Sequence, residues 1–174
     1  MWYDRDIDRI MRRTSNRTIP SGKVSPTNAL IFGVFISIIG VAWFVVMANQ
    51  VAAFWAAFSI FFYVFIYTAW LKRSTVQNIV IGGIAGSTPP VIGWAAASDD
   101  LSIKTDSAIN FFDSIFSLGS FMPWFLFLLI FLWTPPHFWA LALYRSEEYE
   151  RVNIPMMPGI KGPEKTLFVM KIYV

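Results

Sequence analysis

The residues best suited to chemistry in this 174-residue chain fall in three short stretches. The first is Asp4-Arg5-Asp6-Ile7-Asp8-Arg9. On a helix, Asp4 and Asp8 are four apart and share a face, while Asp6 points elsewhere. Two like charges at that spacing repel unless something cationic sits between them. A hard divalent ion such as magnesium suits the place, because it takes one or two carboxylates, keeps water and bridges to substrate phosphates. The competing reading is a solvated helix in which Asp8 pairs with Arg12. The second stretch is Lys72-Arg73, at the end of an apolar run. Arg can hold phosphate oxygens in a fork and Lys as a point charge. The same pair would equally serve as a topology anchor that reaches the lipid headgroups. Arg13 is a further candidate diphosphate contact. The third stretch, Trp133 to Trp139, centres on His137, the one histidine. A His near the end of an apolar span could be a haem ligand, a proton-transfer group or a substrate contact. It could also be a neutral ring bonded to a carbonyl freed by Pro135 and Pro136. Downstream, Glu147, Glu148 and Glu150 are either a second acidic cluster or a plain charged loop.

The elements that must position these groups are membrane spans. The chain is 56% hydrophobic, 18% aromatic and only 14% charged, against about 25% charged in a soluble domain. That excludes disorder and an ordinary water-soluble fold. With no Cys, disulfides and thiolate metal sites are excluded, and one His leaves little room for zinc. A bilayer core needs roughly 20 apolar residues per helix. Spans are expected near 29–48, 52–71, 79–97 and 121–143, with the start of another near 166–174. Asn49, Gln50 and Val51 read as a tight turn between the first two. In the third, the Gly82-to-Gly86 spacing suggests close helix packing, and Pro89-Pro90 a kink. In the fourth, Pro135-Pro136 reads as an interruption. The fold class is therefore all-α, a polytopic transmembrane bundle in a single domain over 1–174.

With alternating spans, the basic segments 1–28, 72–78 and 144–165 lie on one side, and the acidic stretch with Asp99, Asp100, Asp106 and Asp113 on the other. The positive-inside rule puts the basic side in the cytoplasm, or in the matrix of an organelle. This asymmetry explains the net charge of +3 without nucleic acid.

At these residues the chain resembles the UbiA superfamily of intramembrane prenyltransferases, in its haem O synthase branch. The resemblance rests on MWYDRDIDRIMRRT, RTIPSG, YTAWLKRSTVQNIVIGGIAGSTPPVIGWAA, FLWTPPHFWALAL and NIPMMP, which run nearly the length of the chain. It implies that Asp4 and Asp8 are the carboxylates of an N-x3-D-x3-D motif that holds magnesium on farnesyl diphosphate. The motif's Asn would fall just before Met1, so a chain truncated at both ends is expected, with about four whole spans of a larger bundle. The resemblance further implies that Lys72 and Arg73 contact the diphosphate, with Asn78 in the TxxN that follows, and that His137 acts in the branch's PPHFW segment. Glu147 and Glu148 stand where most of the superfamily has a second Asp-rich motif. Thr18 replaces a usual Pro in the turn from Arg17 to Gly22. The implied acceptor is haem B, a substrate rather than a cofactor, and haem A synthase is the implied downstream partner. A bacterial inner membrane is the expected location, with the mitochondrial inner membrane as the alternative. A sister prenyltransferase with an aromatic or quinone-precursor acceptor is the rival reading. A membrane transporter or assembly subunit is a more distant one.

Overall fold

A computed structural model describes residues 1–98 and 101–173. Asp99, Asp100 and Val174 lie outside the described residues, and with them two of the four loop acids and the last residue of the expected fifth span. The described residues form helices and no strand. A short helix α1 (Arg5–Ile10) precedes α2 (Pro26–Met47). Then come α3 (Gln50–Ser74), α4 (Asn78–Ser87), α5 (Pro89–Ala97), α6 (Ala108–Phe116) and α7 (Met122–Tyr144). Three shorter helices close the chain: α8 (Ser146–Arg151), α9 (Met157–Lys161) and α10 (Pro163–Tyr173).

Four helical stretches are long and apolar enough to cross a bilayer: α2, α3, α4 with α5, and α7. Each has enough intrahelical hydrogen bonding to satisfy its own backbone in lipid, and this is an integral membrane protein. None of α2's most apolar window is fully buried within the chain; one side packs on α3, where Phe44 meets the first apolar cluster, and most of the rest is exposed. The turn into α3 is tighter than the sequence suggests. It comprises Ala48 and Asn49, and Gln50 already belongs to the helix. Asn49 sets that boundary. Its Oδ1 accepts from the Ala52 N–H at 2.9 Å and its Nδ2 donates to the Ala95 carbonyl at 2.6 Å. One side chain thus caps the start of α3 and satisfies the end of α5.

The third span does break at its prolines. Thr88 separates α4 from α5, and its Oγ1 donates to the Ala85 carbonyl at 2.8 Å. Close approach uses Gly82 of the expected pair, but its second member is Gly83 and not Gly86. A Cβ on Gly82 would overlap the Tyr67 ring, and one on Gly83 would meet Thr134 at 3.4 Å, whereas Gly86 faces open space. Helix α7 corrects another expectation, because it runs unbroken through Pro135 and Pro136. Both prolines are buried against neighbours, and the Thr134 hydroxyl donates to the Ile130 carbonyl at 2.7 Å. Packing and hydroxyl donors of this kind let a membrane helix tolerate proline.

Two apolar clusters occupy opposite ends of the bundle. One joins Val51, Trp55, Val91, Ala95, Ile115 and Leu118. Here the indoles of Trp55, Trp124 and Trp94 donate to the carbonyls of Ile115, Phe116 and Leu118, at 3.1, 3.0 and 3.1 Å. These bonds satisfy carbonyls that the end of α6 leaves open. Helix α6 itself lies in the segment between spans that sequence patterning leaves without structure. The other cluster joins Ile7, Met11, Ile79, Ala142, Ile154 and Met156, and it underlies the site.

Candidate functional site

A cavity of ≈ 550 Å³ opens at this second end. Its wall draws on the first 17 residues, on Tyr63 to Ile79 and on Phe138 to Met156. The three basic segments therefore meet at one end of the bundle. Asp4, Asp8, Arg13, Lys72 and Asn78 all line the cavity, so the structure brings together five of the residues singled out from sequence.

Each carboxylate is held in a particular way. Asp4 and Asp8 are buried, at 7% and 4% exposure. Asp4 precedes α1 and Asp8 lies one turn into it, with Asp8 N donating to the Asp4 carbonyl at 2.8 Å. Thr14 is buried and its hydroxyl donates to the Asp8 carbonyl at 3.0 Å, which fixes the chain's return after α1. Lys72 Nζ donates to Asp4 Oδ2 at 2.5 Å, and Arg73 reaches Asp4 Oδ1 at 3.4 Å. Asp8 pairs with Arg17, not with Arg12, which is exposed. The Arg17 Nη1 lies 3.2 and 3.3 Å from the two Asp8 oxygens. The i,i+4 partner loses because the Thr14 turn folds Arg17 back over the buried side of α1, while Arg12 faces outward. Asp6, on the outer side, takes a two-pronged contact from Arg73 at 2.8 and 2.9 Å. Those hydrogen bonds hold the Asp6 carboxyl down at about 2, from an ordinary 3.8. Arg73 also packs over the Tyr3 ring, 4.9 Å from its centre, so it braces the rim while Lys72 lines the interior.

The approach to Lys72 is not regular. Over Phe62–Leu71 the helix widens to i→i+5 hydrogen bonding. Thr68 Oγ1 joins in by donating to the Tyr63 carbonyl at 2.8 Å. Wide turns of this kind are frequent at functional sites. They bring residues five apart towards one face, and Tyr67 and Lys72 line the same cavity. Gly82 makes room for the Tyr67 ring on the facing helix.

Asn78 is only 1% exposed. Its Nδ2 donates to the Pro155 carbonyl at 3.1 Å, and its Oδ1 has no partner among the described residues. A carbonyl only accepts, so the amide cannot be turned round. What Asn78 leaves free is an acceptor. That suits a metal ion, a bound water or a hydroxyl better than a phosphate oxygen.

The donor set fits magnesium. It offers two buried carboxylates and a spare amide oxygen lining one cavity, all hard oxygen donors. Among the described residues no group of three or more His, Cys, Asp or Glu side chains is placed to hold a metal ion. An ion that takes one or two carboxylates and fills its shell with water and phosphate needs none.

Other candidates lie elsewhere. His137 is exposed on the outer face of α7, stacked on Trp133 with ring centres 4.3 Å apart. It does not line the cavity; Phe138 does. It makes no hydrogen bond to the described residues, so a bond to a proline-freed carbonyl is not what holds it. Among the described residues Glu147 pairs only with Arg151, at 3.7 Å on the surface, and none of Glu147, Glu148 and Glu150 lines the cavity. From that segment Tyr149 lines it instead. The residues that sequence reasoning missed are Arg17, Tyr63, Tyr67 and Tyr149. The i,i+4 spacing of Tyr63 and Tyr67 ahead of Lys72 was a usable signal. For Arg17 and Tyr149 there was none, because only the fold brings them round.

The model of the UbiA prenyltransferase family matches residues 1–174. Among curated proteins, the chain is 52% identical to a protoheme IX farnesyltransferase of Beijerinckia indica, over 99% of this chain and 48% of that one. It is 50% identical to the protein of the same name from Parvibaculum lavamentivorans, over 99% and 49%. With that of Rhodopseudomonas palustris it shares 48% identity, over 99% and 50%. The chain thus spans about half the length of the curated relatives it matches. No solved structure matches it.

Proposed function

The chain belongs to the UbiA prenyltransferase family, and on that premise we propose that the protein transfers the farnesyl group of farnesyl diphosphate to a vinyl group of haem B, making haem O. The observation that carries this is one cavity in which two buried carboxylates face Lys72, Arg13 and Arg17. Such a wall suits a diphosphate held with a divalent ion, and the relatives' names supply the acceptor.

Farnesyl diphosphate ionises by breaking the bond between C1 and oxygen, and the diphosphate leaves with the electron pair. Lys72 and Arg13 neutralise that leaving charge at the cavity wall, and Arg73 holds the rim through Asp6 and Asp4. Asp4 and Asp8 would hold magnesium, which supplies further charge neutralisation on the diphosphate. Tyr63, Tyr67, Phe138 and Tyr149 form the aromatic part of the wall, where π faces would stabilise the allylic cation. Water has to be kept from the cation until the vinyl π electrons attack C1. Water then adds to the resulting cation on the haem side chain and loses a proton, giving the hydroxyethylfarnesyl group. His137 is kept as a haem-side candidate, since it stands away from the diphosphate.

We read residues 1–174 as one domain. The membrane is a bacterial inner membrane, in keeping with the bacterial relatives, with segments 1–28, 72–78 and 144–165 at its cytoplasmic face. Haem A synthase is the partner to which the product would pass.

The test uses the full-length protein in membranes that lack haem O, with haem B, farnesyl diphosphate and magnesium. The expected product is a haem heavier by one farnesyl group and one water. Asp4→Asn and Asp8→Asn should each lose most turnover, by about a hundredfold or more, while the protein still inserts. Wild-type product formation by both variants would refute the metal assignment. Diphosphate release with an aromatic acceptor and none with haem B would replace the acceptor.

A further inference from the structure

Arg17 has no role in the reading of the sequence beyond opening a turn, yet it is the sole described partner of the buried Asp8 carboxylate. Its geometry is lopsided. Both contacts to Asp8 come from the one Nη1 atom, at 3.2 and 3.3 Å, and no other guanidinium nitrogen of Arg17 bonds to a described residue. A guanidinium has five N–H donors. The side chain is 42% exposed and lines the cavity, so the unused donors sit at its wall. The two buried carboxylates are each neutralised from this chain, Asp4 by Lys72 and Asp8 by Arg17. A metal ion taking Asp8 must displace or share Arg17. A diphosphate arriving beside it must find cations, and Arg17 is the one set free. The unpaired Asn78 Oδ1 on the same wall is independent support for a ligand here.

We propose that Arg17 is a third diphosphate-binding cation, parked on Asp8 until the metal takes that carboxylate. This rests on the metal–diphosphate reading of the cavity, and it adds that metal and Arg17 compete for Asp8 while both serve the diphosphate. The consequence has opposite signs for the two ligands. Removing the guanidinium should help the metal bind alone and should hurt diphosphate binding when metal is present. A residue that merely braces the turn would weaken both or change neither.

The experiment uses the full-length protein in detergent. Manganese, as a stand-in for magnesium, is titrated and the free ion read by electron paramagnetic resonance, without diphosphate. Inorganic pyrophosphate binding is then measured calorimetrically at saturating manganese. For Arg17→Gln the expected results are manganese affinity tighter by about threefold to fivefold and pyrophosphate affinity weaker by about tenfold. Arg17→Lys keeps Asp8 paired and so guards against a variant that fails to fold. It should hold manganese as wild type does and lose about threefold in pyrophosphate affinity, since a point charge lacks the fork. Pyrophosphate binding at wild-type strength in both variants overturns the proposal. So does a parallel loss of both ligands in Arg17→Gln. A wild-type protein that bound neither manganese nor pyrophosphate would overturn the reading of the cavity itself, and this proposal with it.

Discussion

Lys72→Ala is the change whose consequences follow most directly from the geometry. Lys72 Nζ sits 2.5 Å from Asp4 Oδ2, with the Lys side chain 25% exposed and the Asp side chain 9% exposed. At an effective dielectric of about 20, unit charges about 3 Å apart attract by about 5 kcal/mol before desolvation. Most of that is offset by the cost of taking the carboxylate out of water. Arg73, at 3.4 Å from Asp4, remains as a weaker partner. Lys72→Ala should therefore destabilise the full-length protein by about 2 kcal/mol, because it strands a buried carboxylate. Asp4→Asn should cost only about 1 kcal/mol, since the partly exposed ammonium can turn to water. The double variant strands neither charge and should be no worse than Lys72→Ala alone. The coupling energy expected from this cycle is about 1–2 kcal/mol. Denaturant unfolding in detergent, followed by tryptophan fluorescence, measures it. Additivity within about 0.5 kcal/mol would refute the buried-pair argument. The same Lys72→Ala variant should raise the KM for farnesyl diphosphate by about tenfold, the value of one charge-assisted contact. Unchanged KM and kcat would leave Lys72 as a topology anchor.

Three further outcomes are expected. Gly82→Ala would drive a methyl group into the Tyr67 ring, so it should cost about 1–3 kcal/mol of stability and weaken farnesyl diphosphate binding. Gly86→Ala, facing open space, should be neutral or gain up to about 1 kcal/mol, and equal melting temperatures for the two would refute the contact. His137→Ala should leave manganese and pyrophosphate affinities unchanged, because the ring lies outside the cavity against Trp133; a tenfold loss of either would place it in the diphosphate site. Asp6, held at about 2 by Arg73, binds its proton less readily in the folded state. Its contribution is present above the ordinary value of 3.8 and is lost as pH falls towards about 2. It is small and salt-sensitive, since the side chain is 60% exposed. The stability difference between wild type and Asp6→Asn should vanish over that window, and a pH-independent difference would refute the pairing.

Composition and local spacing were enough to set the solvent and the topology. Long uncharged runs can be stable only in lipid, and lipid allows only helices to close their own hydrogen bonds. The clustering of Arg and Lys in alternate segments then put three segments at one end. The types and spacing of Asp4, Asp8, Lys72 and Arg73 were also legible, because i,i+4 geometry and charge are local properties. What decided between their open readings is not local. Asp8 could pair with Arg12 by helix spacing, and only the Thr14 turn shows that Arg17 takes it. Asp6 pointed away from the carboxylate pair as expected, yet the structure pairs it with Arg73, which belongs to a helix 67 residues on. The proline pair in α7 suggested a break that neighbouring helices suppress by burying it. The widened helix before Lys72 has no simple sequence mark, and it carries Tyr67, whose ring packs against Gly82 on the facing helix. His137 shows the reverse case, a residue whose chemistry is conspicuous in sequence but which helix rotation turns to the outer face. Local periodicity fixes which residues share a helix face. Which face meets which, and so which charges are neutralised, is set by energies between segments far apart in the chain.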